Sequence, residues 1–111
     1  MSAPYTIDPV NWAQLDIFNQ MGNIYSEVGR SFKTRGQDDK VAHDAAIARA
    51  IDLFDATIQS QIAAKSPKAR EVLRAKEQFL ATVTDSHVSQ ASISSLDRYF
   101  MQFAVAARLN R

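Results

Sequence analysis

Apolar positions recur every three or four residues along most of this chain, the spacing that lines one face of an α-helix, and nowhere do they alternate with polar residues as a half-buried strand requires. Punctuation divides the pattern into four predicted helices. Asp8-Pro9 is an N-cap followed by proline in the first turn, and Gly36 is the first convincing stop, which predicts a helix over about 9–35. Asp38 or Asp39 caps a second helix over about 39–64, and Ser66-Pro67 repeats the cap-then-proline signal for a third over about 67–84. The stretch from Asp85 to Ser92 is rich in Ser, Asp and His and reads as a loop. Ser94 or Ser95 then caps a fourth helix over about 95–109. Four helices joined by short connections predict an all-α chain, an antiparallel up-and-down four-helix bundle forming one domain over residues 1–111.

The faces carry more information than the boundaries. In the first helix Leu15, Phe18, Gly22, Tyr25, Gly29 and Phe32 form a seam at alternating steps of three and four, and Ile17, Met21, Ile24 and Val28 widen it to about half the circumference. Gly22, Ser26 and Gly29 make a strip of small side chains, which reads as close helix–helix approach or, alternatively, as bare backbone for a ligand. Ile47, Ile51, Phe54, Ile58 and Ile62 stripe the second helix, and Val72, Leu73, Phe79, Leu80 and Val83 the third. The fourth is nearly apolar all round. Leu96, Tyr99, Phe100, Phe103 and Ala107 form its main face, while Met101, Val105 and Leu109 point elsewhere at i, i+4 and i+8. The second row predicts a second buried contact, most simply self-association as a homodimer through Met101, Val105 and Leu109 with Ile17 and Ile24 from the extra face of the first helix.

Composition narrows the classes. Thirteen Lys and Arg against twelve Asp and Glu give a formal charge of +1, which argues against nucleic acid and against a membrane surface as partner. With no cysteine there is no disulfide, thiol nucleophile or thiolate metal site, a usage that fits a reducing cytoplasm. No apolar run approaches the roughly 18 residues of a membrane span, and Met1-Ser2-Ala3-Pro4 shows neither the basic patch nor the apolar stretch of a signal peptide.

Candidate chemistry is sparse. Lys76 falls in the centre of the third helix's stripe, so it must snorkel or find a carboxylate, with Glu27 and Asp55 as candidates; a catalytic amine is the alternative reading. Glu27/Arg30, Arg49/Asp52 and Arg74/Glu77 are spaced i,i+3 and can form surface ion pairs. Alternatively Arg30, Arg49 and Arg74 line a polar inter-helix groove for a small anionic ligand or nucleic acid. Two histidines, His43 and His87, without a Glu-x-x-His motif do not make a di-iron bundle; Asp39 reads as a cap and His43 as a partly buried helix residue. No phosphate-binding glycine loop or nucleophile elbow is present. The chain therefore reads as non-enzymatic, with no catalytic residue, cofactor or metal assigned.

Two resemblances add to this reading. Gly29-x-x-Phe32-x-x-x-Gly36 followed by Ala50-Ile51-Asp52-Leu53 resembles one tetratricopeptide hairpin, but no second copy follows at a 34-residue offset and a solenoid needs three or more. Gly22-Asn23-Ile24-x-Ser26-Glu27-Val28-x-Arg30, Arg49-Ala50-x-x-Leu53-x-Asp55-x-Thr57-Ile58, Arg70-Glu71 through Arg74-x-Lys76-Glu77 and Tyr99-Phe100-x-x-Phe103-Ala104-x-Ala106-Ala107-Arg108 together resemble a family of small, uncharacterised bacterial helical proteins. That resemblance implies a bacterial origin and no activity. It also implies that Asn23, Ser26, Glu27, Arg30, Arg49, Asp55 and Arg74, with Lys76 where the family has Arg, belong to one recurring polar arrangement. Helical nucleases of the HEPN type, with four to six residues between Arg and His, are not matched: seven separate Arg35 from His43, across the Gly36 break.

Overall fold

A helix running unbroken from Pro9 would carry Trp12 and Met21, nine residues apart, on opposite faces. In the computed structural model, which describes residues 7–109 with the side chains of 104 and 106–108 excepted, both are buried in one core. The helix breaks to achieve this. A short α1 (Pro9–Ala13) is capped by Asp8, whose carboxylate accepts the amides of Val10 and Asn11. The chain turns at Gln14 and Leu15, and Asp16 caps α2 (Ile17–Gly36) by accepting the Asn19 amide at 2.8 Å. α3 (Lys40–Ala63), α4 (Lys68–Val83) and α5 (Gln90–Leu109) complete the fold. The described residues are all-helical, as the periodicity predicts, but they hold five helices rather than four. The side chains of Ala104, Ala106, Ala107 and Arg108, and the whole of Met1-Ser2-Ala3-Pro4, all used above, lie outside what the structure describes.

Asp39 caps α3 through the Ala42 amide, as expected, and Ser66 accepts the Lys68 amide at 3.2 Å where α4 begins. Gly36 is not the residue that ends α2 sterically. The left-handed position is Asp38 (φ 55°), with the Asp39 amide donating to the Thr34 carbonyl and the Asp38 amide to that of Arg35. α5 starts about five residues earlier than its serines suggest. Ser89 caps it through the Ser92 amide at 3.1 Å, and Ser94 and Ser95 sit inside the helix.

The core chooses one half of each wide stripe. In α2 it takes Met21, Ile24 and Val28, leaving Phe18, Tyr25 and Phe32 half-buried, while Leu15 in the preceding turn is exposed. Gln20, Ser31, Thr34 and Thr57 are buried beside them. Ser31 donates to the Val28 carbonyl at 2.6 Å, and Thr34 to that of Arg30 at 2.8 Å, so these hydroxyls are satisfied by their own helix. A polar latch fastens α1 to α3: the Trp12 indole donates to the Thr57 hydroxyl at 3.0 Å, which in turn donates to the Leu53 carbonyl at 2.8 Å. The Gln20 amide donates to the Trp12 carbonyl at 3.0 Å. Rings join the longer helices. Phe54 of α3 lies 5.9 Å from both Phe79 of α4 and Phe100 of α5, and Phe32 of α2 meets Phe79 edge-on at 6.3 Å.

The helices do not close evenly. α2 packs extensively on α3 and α5, and α3 on α4, but α4 and α5 touch little. Gly29 is exposed, and a Cβ built on it meets nothing within 4 Å, which corrects the close-approach reading of that position. Gly29 instead borders a recess of about 360 Å³ with Phe32, Ile93 and Asp97. Gly29→Ala is therefore expected to stabilise the protein by up to about 1 kcal/mol, the helix-propensity difference, measured as a raised urea midpoint. A lowered midpoint would show that something does press on the glycine.

Candidate functional site

The polar residues singled out above fall into three places. On the α2–α3 side Glu27 is the centre. Its Oε1 accepts Arg30 Nη1 at 2.7 Å and its Oε2 accepts Arg49 Nε at 3.1 Å, with the Glu27 side chain only 13% exposed. Asn23 and Ser26 turn back to their own helix, donating to the carbonyls of Asn19 (2.8 Å) and Gly22 (3.4 Å). On the α3–α4 side Lys76 donates to Asp55 at 2.7 Å, one of the two partners the sequence offers. Lys76 is not at the centre of the buried face. That face runs Val72–Ala75–Phe79–Val83, and Lys76 flanks it at 22% exposure against 53% for Asp55. A pair this exposed contributes roughly 0–1 kcal/mol.

Arg74 is in the third place. It lines the opening between α4 and α5 with Ala75, Gln78, Thr82, Ala91, Ser92, Ser95, Leu96 and Tyr99, about 560 Å³ in volume. The three arginines therefore do not meet in the one groove expected of them: two share Glu27 across α2 and α3, and the third faces α5. Of the three i,i+3 pairs only Glu27/Arg30 forms among the described residues; Arg49 reaches across to Glu27 instead of pairing with Asp52.

Several polar contacts join helices in ways the sequence pattern does not mark. Tyr25 of α2 donates to Asp97 of α5 at 2.9 Å. Arg35, in the last turn of α2, donates to the Asp85 carbonyl at 2.8 Å, tying down the α4–α5 connection, and its Nη1 is buried with no partner among the described residues. His43 Nδ1 lies 2.7 Å from the Ser31 carbonyl, so that nitrogen carries the proton. Among the described residues no three His, Asp or Glu side chains gather as a metal site would require.

Two tyrosines titrate above their ordinary value. Burial raises Tyr25 first, and the Asp97 carboxylate that accepts its proton adds to it. Burial also raises Tyr99, reinforced by Glu71 and opposed by Arg74. A phenol whose folded pKa exceeds its unfolded one supports the fold fully below the unfolded value of 10.0. That support is lost as pH rises through the folded value. Tyr25→Phe is expected to cost about 1 kcal/mol at neutral pH through the lost hydrogen bond, with a gap to wild type that narrows as pH rises above 10.0. Urea unfolding at both pH values reads it, and an unchanged gap would detach Tyr25 from the alkaline loss.

The proposed apolar interface is also divided by the structure. Ile24 is fully buried within the chain and so is not free to meet a second copy, while Ile17 is half-buried against the same core. Met101, Val105 and Leu109 remain exposed at 44%, 45% and 79%. No helix among the described residues is long and apolar enough to cross a membrane. The chain matches no protein-family model, no curated protein and no solved structure.

Proposed function

We propose that the protein is non-enzymatic and works through protein–protein contact, first with a second copy of itself as a homodimer. The observation that carries this reading is the exposed row Met101, Val105 and Leu109, three large apolar side chains one turn apart on α5. Contiguous apolar surface of this kind marks interaction sites more often than it occurs idly. In this reading α2 to α5 form an antiparallel up-and-down four-helix bundle, with α1 latched on through Trp12 and Thr57. The row on α5 is then the outer seam of the bundle. The absence of cysteine and the resemblance to small bacterial helical proteins fit a bacterial cytoplasmic protein. Native mass by light scattering over a wide concentration range tests the association. A concentration-dependent dimer supports it; a monomer at every concentration overturns self-association.

A further inference from the structure

We propose that the cleft between α4 and α5 is a binding site for a small aromatic monocarboxylate. Short side chains line part of both walls of the cleft. Ala75 and Thr82 of α4 face Ala91, Ser92 and Ser95 of α5, and no large residue from either helix fills the gap of about 560 Å³. That volume is within the usual range of small-molecule sites. The floor is apolar and sealed, with Ala75 and Leu96 both buried. The ring of Tyr99 stands at one end, held edge-on by Phe100 and Phe103 at 5.3 and 5.5 Å.

The polar groups point to the head of the ligand. Arg74 makes no ion pair among the described residues, whereas Arg30, Arg49 and Lys76 each do. A guanidinium presents two parallel N–H groups to a carboxylate. Thr82 spends its proton on the Gln78 carbonyl at 2.8 Å, and Ser92 shares its hydroxyl with Ser89 at 3.0 Å. Gln78, Ser95 and Tyr99 are the lining residues that can supply further neutral donors. Arg74 is the one charged residue lining the cleft, which matches a single negative charge better than a doubly charged phosphate. The site is independent of the proposed dimer face. Ser92, Ser95 and Tyr99 share one side of α5, and Met101 is turned about 200° from Tyr99.

The test is a titration of the isotope-labelled full chain with 2-naphthoate, followed by amide chemical shifts, with 2-naphthalenemethanol as the uncharged comparison. Saturable shifts centred on Ala75, Gln78, Ser92 and Ser95 are expected, with the alcohol at least about tenfold weaker, the equivalent of 1.4 kcal/mol. Arg74→Gln, at an exposed position, should weaken naphthoate about tenfold or more and leave the melting temperature unchanged. Ser95→Leu, which fills the gap from the opposite wall, should abolish binding. Any of four results overturns the proposal: no saturable binding, shifts centred on Met101, Val105 and Leu109, equal affinity for the alcohol, or unaltered binding by Arg74→Gln.

Discussion

Replacing Phe79 with alanine is expected to destabilise the protein by about 3–5 kcal/mol. Phe79 is fully buried on α4 and touches two other rings, Phe54 of α3 and Phe32 of α2. Truncation removes the transfer free energy of the ring and leaves a cavity that helices from three sides cannot collapse into. Each lost aromatic pair adds about 0.5–1.5 kcal/mol within that figure. Domains of this size are stable by only about 5–15 kcal/mol, so the loss is a large share of the total and lowers Tm by about 15 °C or more. Leu73→Ala on the same helix supplies the contrast. The sequence stripe includes both residues, but Leu73 is 43% exposed and its truncation should cost less than about 1 kcal/mol. Urea unfolding of the two variants decides the matter. Equal losses would mean that α4 does not present the Val72–Ala75–Phe79–Val83 face to the core.

That contrast also marks what a sequence of this kind discloses. α3 and α4 were legible to within about two residues because a side-chain cap or a proline starts each of them. The break between α1 and α2 was less visible, since Leu15 continues the three-four spacing of the seam. The signal that does exist is Asp16, three residues before the Asn19 amide it accepts, and the half-turn offset of Trp12 from Met21. The sequence points to too late a start for α5 because serine favours caps and turns. Ser92, Ser94 and Ser95 are helical all the same, carried by Ile93 and Leu96, which face inward. Ion pairs were harder. Glu27/Arg30 is fixed by spacing within one helix, whereas Arg49 to Glu27 and Lys76 to Asp55 depend on how two helices register, which periodicity does not encode. The α4–α5 cleft was invisible for the same reason. Nothing in the spacing of Ala75, Thr82, Ala91 and Ser95 says that the two helices stand apart.

Val105→Glu is expected to dissociate the proposed dimer while leaving the fold intact. Val105 is the middle of the Met101–Val105–Leu109 row and is 45% exposed in the single chain, so a glutamate there can reach water. It is also a better helix former than valine, and its effect on the isolated chain should stay within about 0.5 kcal/mol. In a twofold dimer built on this row the same substitution appears twice in one interface, because the patch meets its own copy. Burying the two carboxylates without partners costs several kcal/mol, enough to raise the dissociation constant by about 100-fold or more. Three side chains are the centre of such an interface rather than the whole of it, since a stable one covers about 800 Å² on each partner. Sedimentation equilibrium together with a circular-dichroism melt at low concentration separates the outcomes. A wild-type dimer, a monomeric variant and matching melts support the reading. A variant that remains dimeric would move the interface off α5. If Val105→Glu alone disturbs the helix, Leu109→Glu, at 79% exposure, makes the same test at a position where the chain itself has little to lose.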